Sequence, residues 1–193
     1  PLRKEVIESI NEVLLETYGN PSSNHSFGRK AKTLIENSRK IISSLLNASP
    51  QEIIFTSGGT ESDNMLLRSA VEDLNVKTII STKIEHHAIL HSLDYLEKKN
   101  VSIVYLPVDK NGEFKYHDLE NALSFDDSKK LVSLMHVNNE IGNMIDLEYI
   151  SKICKSRGAL LHTDAVQSIG HFKIDLTKIE VDFLSAAAHK FHG

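Results

Sequence analysis

Apolar residues recur at helical spacing through the first fifty residues, then change to short apolar runs alternating with helical stretches. Over residues 3–18, Val6, Ile7, Ile10, Val13 and Leu14 share one face and predict an amphipathic helix. Gly19-Asn20-Pro21-Ser22-Ser23-Asn24 breaks the pattern and reads as a loop. A second helix is expected over 28–47, where Ala31, Leu34, Ile35, Ile41, Ile42 and Leu45 repeat. Glu52-Ile53-Ile54-Phe55-Thr56 is short, apolar and β-rich and predicts a strand. Ser57-Gly58-Gly59-Thr60 then turns into a helix carrying Met65, Leu66, Ala70 and Leu74.

The alternation continues to the end. Strand 78–81 precedes helix 88–98, and strand 101–106 precedes a turn at Asn111-Gly112 and a short helix near 116–124. Strand 131–136 precedes helix 147–157, followed by strands 159–163 and 181–185. Strands alternating with helices predict an α/β fold of three layers, α/β/α, with a mostly parallel sheet covered on both faces. No repeat or linker interrupts it, so one domain over 1–193 is expected. Ligands of such sheets bind beyond the carboxyl ends of the strands. Gly59, Thr60, His86, Asn139, Asp164 and the His189-Lys190 pair all fall at such ends.

Composition narrows the function. The 193 residues suffice for a sizeable core, with 40% hydrophobic and 25% charged residues. A net charge of -4 gives no electrostatic reason to expect nucleic acid or an anionic membrane as a partner. No apolar run approaches the roughly 20 residues of a membrane span. The start, Pro1-Leu2-Arg3-Lys4, has no signal-peptide core. A single cysteine, Cys154, excludes an internal disulfide and fits a reducing, cytoplasmic setting. The chain lacks an initiator Met and stops three residues after Lys190, so a longer parent protein is expected.

The candidate chemistry sits in loops. Ser57-Gly58-Gly59-Thr60, between a strand and a helix, suits an anion: glycines admit close approach, and helix-start N–H groups favour negative charge. A tight turn with Thr60 as helix cap uses the same residues. Asp164, after Leu161-His162-Thr163, can pair with a protonated ring nitrogen, as in pyridoxal phosphate (PLP) enzymes, or can cap a helix. Gln167 can donate to a ring oxygen or complete a capping box. His86 can stack on an aromatic cofactor or move a proton near neutral pH, or simply be a satisfied loop residue. The ten histidines show no zinc-type ligand spacing, so no metal is expected. Asn139, in Asn138-Asn139-Glu140-Ile141-Gly142, can hold a carboxylate or sit in a turn. Lys190 follows an apolar strand and small residues and suggests a Schiff-base amine, although most lysines are surface residues.

Together these stretches resemble a known family. They are Tyr18-Gly19-Asn20-Pro21-Ser22-Ser23, Phe55-Thr56-Ser57-Gly58-Gly59-Thr60-Glu61-Ser62-Asp63-Asn64, Glu85-His86-His87-Ala88-Ile89-Leu90, His136-Val137-Asn138-Asn139-Glu140-Ile141-Gly142, His162-Thr163-Asp164-Ala165-Val166-Gln167-Ser168 and His189-Lys190-Phe191-His192-Gly193. In this order they resemble cysteine desulfurases of the NifS/IscS type, class V aminotransferases among the fold-type I PLP enzymes.

The resemblance implies an aspartate-aminotransferase-like large domain over 1–193, without the smaller C-terminal domain. It implies that Lys190 carries PLP and later moves protons, and that Asp164 pairs with the ring nitrogen. It places His86 on the ring with an acid–base role, Gln167 on the phenolic oxygen and Asn139 at the substrate carboxylate. Gly59, Thr60 and His189 would hold the phosphate. The implied activity converts L-cysteine to L-alanine and leaves sulfur as an enzyme persulfide for iron–sulfur cluster assembly or tRNA thiolation. It implies a homodimer and a sulfur-acceptor scaffold protein. A selenocysteine lyase or another class V aminotransferase shares the pattern, and a non-catalytic remnant serving as a dimerisation module is the reading of another class.

Two departures bear on the chemistry. Ala187 stands where many relatives have serine, removing a hydroxyl contact to phosphate worth about 1 kcal/mol. The persulfide cysteine and the carboxylate-clamping arginine of the family lie beyond the matching stretches. Cys154, in the apolar pattern of helix 147–157, reads as a structural position and does not replace that cysteine.

Overall fold

The amphipathic pattern at the start of the chain becomes two helices, α1 (Lys4–Glu16) and α2 (Ser26–Leu46). The loop between them closes tightly on the start of α2 because Gly19 in the loop and Gly28 in the first turn of α2 have no side chain. A Cβ at Gly19 would meet the Phe27 carbonyl at 2.4 Å, and one at Gly28 would meet the Ser23 oxygen at 2.4 Å. His25 caps α2, its Nδ1 accepting the Gly28 N–H at 3.2 Å. Asn47, in the left-handed region at φ 55°, ends the helix. The computed structural model describes residues 1–193, which pack as two units. These helices belong to the first, which comprises Pro1–Phe55, Ile174–Thr177 and Ala188–Gly193. Its distant segments meet through Leu176 N–H to Leu46 O (3.0 Å) and Arg3 N–H to His192 O (3.0 Å). α1 buries none of its residues, and Leu14 is 70% exposed.

The strand expected at Glu52–Thr56 does not form. Pro50–Glu52 is a 3-10 turn, with Ser49 and Glu52 in a capping box, and residues 53–56 are irregular. A strand needs a neighbour for its backbone groups. Here the Ile53 carbonyl accepts from the Arg39 side chain instead, and the same guanidinium lies over the Phe55 ring.

The second unit, Thr56–Lys173 with Lys178–Ala187, contains the alternating elements. In chain order they are α3 (Gly59–Glu72), β1 (Thr78–Thr82), α4 (His87–Glu97), β2 (Ser102–Leu106), α5 (Tyr116–Ser124), β3 (Lys130–Met135), α6 (Leu147–Ser156), β4 (Leu160–Asp164) and β5 (Phe183–Ser185). Other expected boundaries fall within two residues of these. The strands form one sheet, β2-β1-β3-β4-β5, with every pair parallel.

Successive strand residues face opposite sides, so each strand feeds two cores. Ile79 and Leu131 pack with Leu66, Leu67 and Ala70 of α3 and with Ile89, Leu93 and Leu96 of α4. Their chain neighbours Ile80 and Val132 pack with Leu119 of α5 and with Leu147, Ile150 and Cys154 of α6. This gives the α/β/α layering. Each fully buried Leu or Ile contributes on the order of 1.5–3 kcal/mol. No helix is long and apolar enough to cross a membrane.

Candidate functional site

The chain leaves β1 for β2 on one side, then returns to place β3 on the other. Strand order therefore reverses between β1 and β3, and a crevice opens beyond their carboxyl ends. A cleft of about 360 Å³ lies there, lined by Lys83–His87, Leu90 and Asn138–Ile141. It brings two expected site residues, His86 and Asn139, to one cavity.

His86 caps α4, its Nδ1 accepting the Ala88 N–H at 3.1 Å. In the neutral ring that bond assigns the proton to Nε2. His87 lies outward and stacks on His91, ring centroids 5.4 Å apart. Asn139 is exposed on a loop that its neighbour builds. The Asn138 Oδ1 accepts the N–H groups of Glu140 (2.9 Å) and Ile141 (3.0 Å), while its Nδ2 donates to the Ile84 carbonyl (2.7 Å). Asn138 is 7% exposed, so these bonds stand in for water.

Asp164 ends β4 and is buried. Its Oδ1 accepts the Val166 N–H at 2.9 Å, closing a turn. No α-helix follows, which removes the helix-cap and capping-box readings of Asp164 and Gln167. Burial pushes the Asp164 carboxyl above its ordinary range; the Val166 N–H and a charge on His86 pull it back. Gln167 is half-buried in the same turn.

Gly58 is the N-cap of α3, so Thr60 lies inside the helix and is not its cap. The first helical bond there runs from Ser62 N–H to Gly58 O (3.1 Å), leaving the amides of Gly59, Thr60 and Glu61 ahead of it. A Cβ at Gly59 would meet the Val166 Cγ2 at 3.0 Å and the Ala187 Cβ at 3.9 Å. The glycine thus brings the α3 start against the turn after Asp164. Ala187, the residue that departs from the family pattern, lies beside it.

Two groups missed in the sequence stand behind these loops. Asp63 of α3 is 1% exposed, and its Oδ1 has no hydrogen-bond partner. Burial, and then repulsion from Asp164, push it up to about 7. Its signal was visible: Asp63 shares a helical stripe with Leu66, Leu67 and Ala70. Glu85 is 6% exposed and, with both oxygens hydrogen-bonded, is pushed by burial up to about 8.

His189 and Lys190 are exposed in a 3-10 turn, Ala188–Lys190, of the first unit.

The model of the aminotransferase class-V family matches residues 1–193. The chain belongs to the class-V aminotransferase family. It is 47% identical to a cysteine desulfurase IscS of Dictyoglomus turgidum, over 100% of this chain and 49% of the relative. It is 41% identical to the mitosomal cysteine desulfurase of Trachipleistophora hominis, over 100% of this chain and 44% of the relative. Among solved structures, a NifS-like protein superposes with a TM-score of 0.94 at 40% identity, covering 100% of this chain and 53% of that one. SspA in complex with cysteine also gives 0.94, at 31% identity, covering 100% of this chain and 56% of that one. The chain spans about half the length of the curated relatives it matches. Membership of this family implies a PLP site on a fold-type I large domain, in agreement with the parallel sheet and its layers.

Proposed function

We propose that this chain supplies the PLP-binding large domain of a cysteine desulfurase, with residues 1–193 as the incomplete domain. The observation that carries the reading is Asp164. A carboxyl buried at a strand end, raised by desolvation and holding one backbone N–H, is stabilised in its charged form by a cation. The protonated ring nitrogen of PLP is such a cation. The Gly59 amide lies by the turn that Asp164 starts, and the cleft holding His86 and Asn139 is open. These residues fit the group.

Bound PLP supplies an electron sink for the bonds of the substrate Cα. Asp164 keeps a proton on the ring nitrogen. His86 packs against the ring and moves a proton at Nε2, its Nδ1 being occupied by Ala88 N–H. Gln167 donates its amide to the phenolic oxygen. The Gly59 and Thr60 amides at the start of α3, with His189, hold the phosphate. Lys190 Nζ would carry the cofactor and, once the substrate amine has displaced it, would move the Cα proton. Asn139 faces the carboxylate of L-cysteine. The reading includes a homodimer, L-alanine as product, and a persulfide passed to an acceptor protein by the whole protein. The relative solved with cysteine supports that substrate over other class-V substrates.

The test is a PLP titration followed by absorbance and by borohydride trapping with intact mass. The expected result is one cofactor per chain in the wild type and no trapped adduct in Lys190→Ala. An unchanged spectrum and adduct in the variant would sink the assignment of Lys190.

A further inference from the structure

The ladder between β1 and β3 stops short of the crevice. Its last backbone pair is Ile80 with Val132, although β1 runs to Thr82 and β3 to Met135. Side chains take over from there. The Ser81 hydroxyl donates to the Ser133 carbonyl at 2.8 Å. The Met135 N–H then donates to the Glu85 Oε2 at 2.8 Å, and the Thr82 hydroxyl to the Oε1 at 2.7 Å. One buried carboxyl therefore joins the ends of two diverging strands, next in sequence to His86. On the other side of the same turn, the Asn138 Nδ2 holds the Ile84 carbonyl at 2.7 Å, next in sequence to Asn139.

We propose that Glu85 is a positioning residue of this site, a clasp across the ends of β1 and β3 that fixes His86 and, together with Asn138, fixes Asn139 around the cleft. It rests on the reading of His86 and Asn139 given above. Glu85 touches neither substrate nor cofactor in this role. Strands that bonded to their ends would close the crevice, and strands left unbonded would let the His86 turn drift. A side chain of Glu length holds them apart at a set distance.

The clasp is sensitive to pH. Four groups face it: Thr82 and the Met135 amide as donors, and Asp164 and Asp63 as charges that add to burial, which pushes it up to about 8. Its folded pKa lies above its unfolded one. Its contribution to stability is therefore complete below the ordinary carboxyl range and is lost as pH rises through about 8. Glutamine reproduces the protonated form, keeping a carbonyl for the Met135 N–H and offering an N–H to the Thr82 oxygen.

The experiment compares wild type, Glu85→Gln, Glu85→Ala and the milder Thr82→Val. Apo-protein is followed by hydrogen exchange of residues 83–90 and 136–142 and by melting against pH; PLP-loaded protein is followed by cofactor affinity and induced circular dichroism. Glu85→Gln is expected to keep wild-type exchange and affinity within about twofold and to flatten the fall in melting temperature between pH 6 and 9. Glu85→Ala, or Thr82→Val if the alanine variant does not fold, is expected to speed exchange in both segments about tenfold and to weaken the induced signal. Wild-type exchange in both segments of folded Glu85→Ala or Thr82→Val overturns the clasp. So does failure of Glu85→Gln to rescue. Wild-type protein that binds no PLP overturns the cofactor reading instead, and the apo measurements still decide the clasp.

Discussion

His162 Nε2 lies 3.7 Å from Asp63 Oδ1, and at neutral pH and below the two are not an ion pair. Burial drives His162 down to about 3, so its ring is neutral and bonds to the hydroxyls of Ser133 (2.9 Å) and Ser185 (3.3 Å). Asp63, pushed up to about 7, keeps its proton between about pH 3 and 7, where the His162 ring is already neutral. A neutral pair adds no charge beside Asp164. Ionisation of Asp63 sets a second buried carboxylate against it.

A stability test follows. Asp63 has a folded pKa above its ordinary 3.8, so its stabilisation is present at low pH and disappears as pH rises through about 7. Asp63→Asn mimics the protonated acid. The variant is expected to match wild type near pH 5 and to exceed it at pH 9 by on the order of 3 kcal/mol. Urea denaturation at the two pH values measures it. Equal stabilities at pH 9 would contradict the buried, proton-holding assignment.

The two glycines of the α3 turn are expected to separate. A Cβ at Gly58 meets nothing within 4 Å, and φ 161° is ordinary extended backbone. Gly58→Ala should leave PLP affinity unchanged. A Cβ at Gly59 presses on the Val166 Cγ2 at 3.0 Å, pushing the turn after Asp164 away from the amides meant for phosphate. Gly59→Ala should weaken PLP at least fivefold, about 1 kcal/mol. Equal affinities for both variants would remove Gly59 from the site.

The α/β alternation was legible because each strand and helix carries its own period, and because His86, Asn139 and Asp164 follow apolar runs. The strand expected at 52–56 failed because apolar content does not supply a hydrogen-bonding neighbour. Arg39, thirteen residues before Glu52, takes the Ile53 carbonyl, and no pattern in the chain announces that pairing. Thr60 was read as a possible cap because threonine favours that position; the turn makes Gly58 the cap instead. Asp63 and Glu85 carry no functional signal along the chain because a carboxyl's protonation depends on what packs around it in space. Only Asp63, within the stripe of Leu66 and Ala70, left a mark in the sequence.

Asn138 should prove as important as its exposed neighbour. Asn138→Ala leaves the part-buried Ile84 carbonyl and the N–H groups of Glu140 and Ile141 without a side-chain partner. The expected loss is about 2–3 kcal/mol, read as a lower urea midpoint. Asn138→Asp keeps the acceptor and loses the donor, and should fall between. Asn139→Ala should change stability by less than about 0.5 kcal/mol, because that side chain is exposed. A loss in Asn139→Ala equal to that in Asn138→Ala would reverse the division of labour.

Cys154 is expected to be chemically silent. It packs in the core between the sheet and α6 at 1% exposure, and burial followed by repulsion from Asp182 pushes its thiol up to about 12. The nucleophile in sulfur chemistry is the thiolate, which such a thiol does not populate near neutral pH. Native protein treated with a thiol-specific alkylating reagent at pH 8 should remain unlabelled, and protein in guanidinium should label once per chain. Cys154→Ala should cost about 1–2 kcal/mol through the lost packing and leave PLP absorbance unchanged. Rapid labelling of the folded chain would show that the helix opens there and would contradict the structural reading of Cys154.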